Sequence, residues 1–388
     1  MMLPLWILFL LVSFGSVGAV LFTPALPSIQ AFFQVSIGEA QLTVTSYLIG
    51  YALGQLPYGP LANGIGRKKT LYLGVFLSIV GSLLCAVSSP LHSFGLLVFA
   101  RFIQALGACV GLKVSFTMIA DIYDQTNATR AISKIFMAFA IMPGIAIAIG
   151  GFITQFSRWD MCFYFLACFG FFILFLISKL PETAREIDSR VLNINAVLKT
   201  YRAKLKDRHL VLSGLIMGCG TAVVYVFASK APFIGMNLMG MTPKEFGLFN
   251  LIPPLGMLAG FFLSIKLAGK FAHFMLLQIG IIASLIAAFI MFFCFAVMKI
   301  SGVVLFFPMV LIYAAEALVF ANISSFGLAE ARDKSNASAM LNFLNMGAGC
   351  VAVFLSEWLF PASALFLPIV FVVLFLIMLF LYGSLKKS

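Results

Sequence analysis

Residues 59–69 read Gly59-Pro60-Leu61-Ala62-Asn63-Gly64-Ile65-Gly66-Arg67-Lys68-Lys69. Glycines allow positive φ and close backbone packing, and three adjacent cations close the segment. Apolar stretches 43–62 and 70–89 flank it, each about the 20 residues that a bilayer crossing requires. A basic, glycine-rich turn between two such stretches reads as the link of a helical hairpin, held on one membrane face by its charge.

The same pattern continues outward. Long apolar stretches also run over 5–22, 94–119, 132–154, 161–179, 210–229, 246–266, 273–297, 302–324, 338–356 and 364–383, which makes twelve. Hydrophobic residues form 62% of the 388 and charged residues 10%, whereas a soluble chain carries about 25% charged. A water-facing surface cannot be built from so few charges. Most stretches are broken by Gly or Pro and lack period-two alternation, which favours helices over a barrel. The expectation is an all-α membrane protein of twelve transmembrane helices in two six-helix bundles. The first stretch lacks a basic leader and a small-x-small cleavage site, so it is expected to be a retained helix.

Lysine and arginine placement predicts orientation. With both termini on one side, that side holds nineteen cations and the other four, Arg158, Lys230, Lys244 and Lys299. Both termini are therefore expected in the cytoplasm. The basic balance is a topology signal, with anionic membrane lipid as neighbour and no nucleic-acid partner. Arg101 and Lys113 remain inside the fourth helix. The halves echo each other: Glu39 and Glu245 each open a helix after a proline-containing turn, and Leu61-Ala62 is repeated at Leu267-Ala268, both at an offset of 206 residues. The expected domains are 1–180, a cytoplasmic linker over 181–208, and 209–388. Val191, Ile194, Val197, Leu198, Tyr201 and Leu205 fall at helical spacing in that linker, which suits either an amphipathic surface helix or a plain tether.

Catalytic and cofactor chemistry finds little to work with. The seven cysteines lie in apolar runs without a CxxC pattern, and the three histidines lack neighbouring ligands, so neither metal nor disulfide framework is expected. No phosphate-cradling GxxxxGK[ST] occurs. His92 has no HxxxxD partner, and the outer loops are short, so an enzyme is not expected. The duplicated halves suit a carrier that rocks about a central site.

The 59–69 turn resembles the signature between helices 2 and 3 of the major facilitator superfamily. More closely, the chain resembles the Bcr/CflA drug-resistance branch of its drug:proton antiporters, through Thr23-Pro24-Ala25-Leu26-Pro27, Ser46-Tyr47-Leu48-Ile49-Gly50, Arg101-Phe102-Ile103-Gln104-Ala105-Leu106-Gly107-Ala108, Leu180-Pro181-Glu182-Thr183 and Met241-Thr242-Pro243-Lys244-Glu245-Phe246-Gly247. The resemblance implies export of a small drug-like or amphipathic molecule across a bacterial inner membrane by a monomer, with a proton as coupling ion and no cofactor. It also implies a gating role for Gly59, Asn63, Gly66, Arg67 and Lys68.

Departures from the branch pattern are equally informative. Asn63 stands where the family has an Asp, which implies a softer inner gate. Val20 stands where branch exporters carry an acid near the end of helix 1. Branch exporters carry Gly-Pro-x-x-Gly-Gly in helix 5, whereas Ala146-Ile147-Ala148-Ile149-Gly150-Gly151 keeps the glycines but not that proline, leaving Pro143 as the nearby hinge candidate. Intramembrane charges mark function by default, because each costs about 2.5–3.5 kcal/mol at mid-bilayer. Arg101, with Gln104 one turn on, is expected either to line the cavity or to bond between helices. Lys113 either faces the cavity or snorkels. Glu316 is a proton carrier, a partner of one of these cations, or a water-facing residue. Tyr47, Gln55 and Asn342 are polar cavity candidates. A dedicated exporter of an anionic metabolite, such as a polycarboxylate siderophore, is the alternative that Arg101 and Lys113 suggest.

Overall fold

A computed structural model describes residues 3–184, 187, 194–267, 270–298, 301–329, 334–359 and 364–386. Helices make up almost all of it, for the reason composition suggests: without water, backbone groups must be satisfied within their own segment. The N-terminal bundle holds α1 (Leu5–Val20), α2 (Leu26–Phe33), α3 (Ile37–Gly54), α4 (Tyr58–Ile65), α5 (Arg67–Val87), α6 (Phe94–Ala108), α7 (Val110–Ile122), α8 (Gln125–Phe156) and α9 (Met161–Ser178). Helix α10 (Ile194–Lys204) leads to the C-terminal bundle of α11 (Arg208–Phe233), α12 (Pro243–Phe249), α13 (Pro253–Leu267), α14 (His273–Val297), α15 (Gly302–Ala329), α16 (Lys334–Leu359) and α17 (Phe366–Lys386). Among the described residues, ten segments are long and apolar enough to cross a membrane, and Ala140–Phe156 of α8 is a shorter apolar piece. The twelfth crossing is α3 with α4, a pair too polar to stand out by hydropathy.

Two expectations are corrected at the prolines. The first crossing does not end at Thr23–Pro27 but continues to Phe33, as a 29-residue segment. Pro24 and Pro27 each occupy the first turn of a new helical piece, Thr23–Ala25 and α2. There the missing N–H costs nothing and the fixed φ suits a helix. The seventh behaves likewise: Pro232 lies inside α11, which runs on into a π turn at Ile234–Leu238. Lys230, expected in an outer loop, is thereby buried in the last turn of α11.

The internal repeat is written in helix caps. Ser36 and Glu39 form a capping box at α3, and Thr242 and Glu245 form the same box at α12, each satisfying two orphan backbone donors reciprocally. Helix α3 packs on α16 while α8 packs on α12 and α13, so the seam between the bundles is built from repeat-related pairs. Apolar side chains such as Phe76, Phe99, Phe293 and Phe380 point outward, where lipid would receive them. The face carrying Arg67, Asp121 and Glu182 is called the basic face below.

Candidate functional site

The turn at 59–69 is held by side chains distant in sequence. Gly66 has φ of 94°, a conformation that favours glycine, and a Cβ there would stand 2.7 Å from Glu182 Oε2. Glu182 accepts from the N–H groups of Arg67 (2.9 Å), Lys68 (3.0 Å), Thr183 (3.0 Å) and Ala184 (3.0 Å). It therefore places a negative group on the orphan donors at the N-terminus of α5. Arg67 bridges Asp121 Oδ2 (3.0 Å) and the Ala62 carbonyl (2.8 Å), while Thr183 donates to the same carboxylate oxygen at 2.8 Å. Lys68 donates to the Ser178 carbonyl at 2.7 Å. Asn63 is exposed on α4, beside α16, and Gly59 packs near the Lys113 stem.

Partial burial pushes the Glu182 pKa up, but the N–H groups of Ala184, Arg67, Lys68 and Thr183 pull it down further, and the net value lies below the ordinary 4.5. A depressed carboxyl contributes stability that is present above 4.5 and lost as pH falls through its lower folded value. Glu182→Gln should therefore melt below wild type at neutral pH, by about 0.3–1 kcal/mol from the helix terminus alone. The gap should close on acidification below that range. A gap that stays constant to low pH in thermal melts of both proteins refutes this role.

The linker helix is tied to the same face. Pro60 has no N–H for the Leu56 carbonyl one turn earlier, and the Tyr201 hydroxyl of α10 donates to it instead at 2.9 Å. Tyr201 is buried while Leu198 and Leu205 are exposed, and α10 also touches α16. Val191, at the start of the expected amphipathic run, lies outside the described residues.

Arg101 lies fully buried within the N-terminal bundle. It donates to the carbonyls of Gly18 (2.8 Å), Ala19 (3.3 Å) and Thr43 (3.2 Å), and to Gln104 Oε1. Its guanidinium carbon stands 4.1 Å from the Phe22 ring centroid and 4.2 Å from that of Tyr47. Gly18 and Ala19 belong to the last turn of α1, whose carbonyls lack helical partners, so a cation from α6 caps α1. Gln104 passes the connection to Ser82 on α5 at 2.7 Å, and the Tyr47 hydroxyl donates to the Gly15 carbonyl at 2.8 Å. Of the two roles expected for Arg101, this geometry is that of interhelical bonding.

The remaining candidates are spread along the two bundles. Gln55 is buried at the end of α3 beside Tyr51, and its amide atoms make no well-formed hydrogen bond. Lys113 is buried on α7. Asn342 is half-buried on α16 and donates to the Ser338 carbonyl of its own helix at 3.0 Å. Glu316 lies at the middle of α15, wholly buried, and accepts from Ser284 Oγ at 3.3 Å. Its Oε2 has no hydrogen-bond partner and rests on Gly220 of α11, where any Cβ would collide with it. It forms no salt bridge with Arg101 or Lys113 among the described residues, and it does not face water.

Between the bundles lies a narrow cavity. Val20, Pro143 and Ile147 line it from one side, and Val224, Phe227 and Tyr313 from the other. Glu316 stands one turn from Tyr313 on α15, but its carboxyl is turned against Gly220 and Ser284 and is not among the lining groups. Val20 and Pro143, singled out by sequence, reach it, whereas Arg101, Gln104, Lys113 and Tyr47 are not among its lining residues. Sequence reasoning missed Tyr313, Asp121 and Tyr201. Only Pro60, which leaves a carbonyl without a donor, hinted that something must cover the α3–α4 break.

Two pseudo-symmetric helical bundles meeting at a membrane-spanning seam define a polytopic carrier rather than an enzyme. The chain belongs to the Major Facilitator Superfamily, whose family model matches residues 5–356. Among its relatives, an uncharacterized MFS-type transporter of Bacillus subtilis, YdgK, is 28% identical over 73% of this chain and 70% of its own length. The bicyclomycin resistance protein homolog of Haemophilus influenzae is 25% identical over 68% and 66%, and multidrug resistance protein D of Escherichia coli 24% over 64% and 62%. These matches span less than two thirds of the last two relatives' lengths, and their names agree with the branch that the motifs resemble. In fold, the chain matches a partially occluded inward-open xylose transporter XylE of E. coli at a TM-score of 0.78 and 16% identity, covering 99% of this chain and 96% of that one. It also matches a bacterial homolog of the lysosomal transporter Spinster at 0.73 and 16%, covering 99% and 96%.

Proposed function

We propose that this transporter exports a small drug-like or amphipathic molecule by alternating access, exchanging it for protons, with its basic face and both termini toward the cytoplasm of a bacterial inner membrane. The nineteen-to-four cation asymmetry supports the orientation, and the names of the resistance-type relatives support export. One observation carries the coupling: Glu316 is the acid at the heart of the C-terminal bundle, with one oxygen unpartnered and no cation paired to it among the described residues. An unpaired carboxylate in such surroundings is costly, so the site suits an acid that gains and loses a proton as the bundles rock.

The alternative, a dedicated exporter of an anionic metabolite, relied on intramembrane cations meeting the cargo. The Arg101 guanidinium is already engaged by three carbonyls and Gln104 inside its own bundle, which leaves that reading without its principal ligand.

In reconstituted vesicles, an imposed pH gradient should drive uphill accumulation of a compound found in a labelled drug panel. Glu316→Gln should abolish the uphill component and leave cargo–cargo exchange in place. A mutant that still concentrates cargo with an unchanged pH dependence would remove Glu316 from the coupling mechanism.

A further inference from the structure

Helix α10 turns one face to the bundles and leaves the other free. We infer that the free face binds anionic phospholipid of the membrane surface it lies on, which makes the linker a lipid-anchored strap across the basic face. The inference is independent of which cargo is carried and of proton coupling.

Charge comes first. Helix α10 carries Lys199, Arg202 and Lys204 and no acid. Asp207, beyond it, is committed to capping α11 at the Leu210 N–H (3.1 Å). Val197, Thr200, Tyr201 and Lys204 are buried or half-buried and share one helical face. At ~100° per residue, the order around the helix from Tyr201 is Leu205, Leu198, Arg202 and Lys199. The two leucines are 47% and 50% exposed, and both cations are exposed. Among the described residues neither cation is in an ion pair.

Tyr201 gives the direction of the membrane. Its hydroxyl reaches the Leu56 carbonyl at 2.9 Å. That carbonyl precedes α4, whose eight residues place it about 12 Å nearer the bilayer centre than the turn at Gly66. With the Tyr201 edge pointing that way, the adjacent Leu205 and Leu198 turn toward acyl chains, and Arg202 and Lys199 come to the level of the headgroups. Apolar side chains dipped into a bilayer with cations along their edge are how an interfacial helix holds on. A zwitterionic surface offers such cations no net counter-charge, whereas an anionic one does. Because Tyr201 grips the α3–α4 break and α10 also touches α16, a helix anchored in this way engages both bundles at once.

Amide hydrogen exchange over residues 194–204 tests this on the full chain in nanodiscs, made of phosphatidylcholine alone or with a third of it replaced by phosphatidylglycerol. Docking opposes local opening of the helix, so exchange should be about tenfold slower with the anionic lipid, a change of ~1.4 kcal/mol. High salt should erase that difference, because exposed charges are screened. Lys199→Gln combined with Arg202→Gln should erase it too, while leaving exchange in phosphatidylcholine as in wild type. Leu198→Ser combined with Leu205→Ser should speed exchange in both membranes, a result that a helix facing water would not give. Peptides from α14, remote from the linker, serve as the check that each variant is folded. Equal exchange of wild-type α10 in the two membranes overturns the proposal. So does a phosphatidylglycerol effect that survives the double glutamine variant, since the lipid would then act elsewhere. Protection by soluble polyglutamate equal to that by phosphatidylglycerol would assign the face to an acidic protein instead and would also overturn it.

Discussion

Arg101→Lys should lower the melting temperature of the detergent-purified protein by several degrees while leaving the cargo KM of the surviving protein within about twofold. Arg101→Met should go further, costing on the order of 3–5 kcal/mol, the range seen when one member of a buried charged contact is removed. The reason lies in what the guanidinium touches. Its planar fork reaches the last carbonyls of α1 and the Thr43 carbonyl of α3 at once, and its faces lie against Phe22 and Tyr47. Lysine keeps the charge, but its ammonium cannot span that set or stack between rings. Methionine leaves buried carbonyls without donors, each costing about 1–3 kcal/mol. A thermal melt beside a transport assay decides the matter. If Arg101 met the cargo instead, Lys would raise KM steeply and barely move the melting temperature.

The same residue shows where sequence stops informing. That Arg101 and Gln104 share a helical face follows from their spacing, but which way the face points depends on neighbours brought in by folding. Phe22 closes the first apolar stretch, 5–22, just before Pro24 and Pro27, where the sequence suggested that the helix ends. The prolines there marked real breaks, yet each fell at a first helical turn, so the crossing resumed as α2. Features fixed by local chemistry were readable: the paired Glu39 and Glu245, three residues after Ser36 and Thr242, are capping boxes. Features made by assembly were not. The bond between Asp121 and Arg67, 54 residues apart, has no local signature. Val20 was notable for lacking an acid, and its place on the cavity wall comes only from the fold.

Adjacent glycines on α8 should give opposite phenotypes when each is changed to alanine. A methyl group on Gly150 would overlap the Leu21 carbonyl, within the N-terminal bundle, whereas one on Gly151 would overlap the Pro243 carbonyl, across the seam. Backbone cannot yield as a flexible side chain does, so each substitution costs about 1–3 kcal/mol of overpacking. For Gly150 the clash is present in every conformation, because α1 and α8 belong to one bundle, and Gly150→Ala should lower overall stability. For Gly151 the clash exists only while the bundles meet away from the basic face, where Lys244 also lies over the Phe152 ring at 5.4 Å and Gln41 donates to the Ser229 carbonyl at 3.0 Å. A penalty borne by one state alone shifts the equilibrium by its full size, so about 1–3 kcal/mol moves populations roughly 5- to 150-fold. Spin labels at Ser157 and Asn237, exposed on opposite sides of that closure, should report a longer distance in Gly151→Ala than in wild type and an unchanged one in Gly150→Ala. Equal distances in all three proteins would mean that the seam contact at Gly151 does not set which face opens.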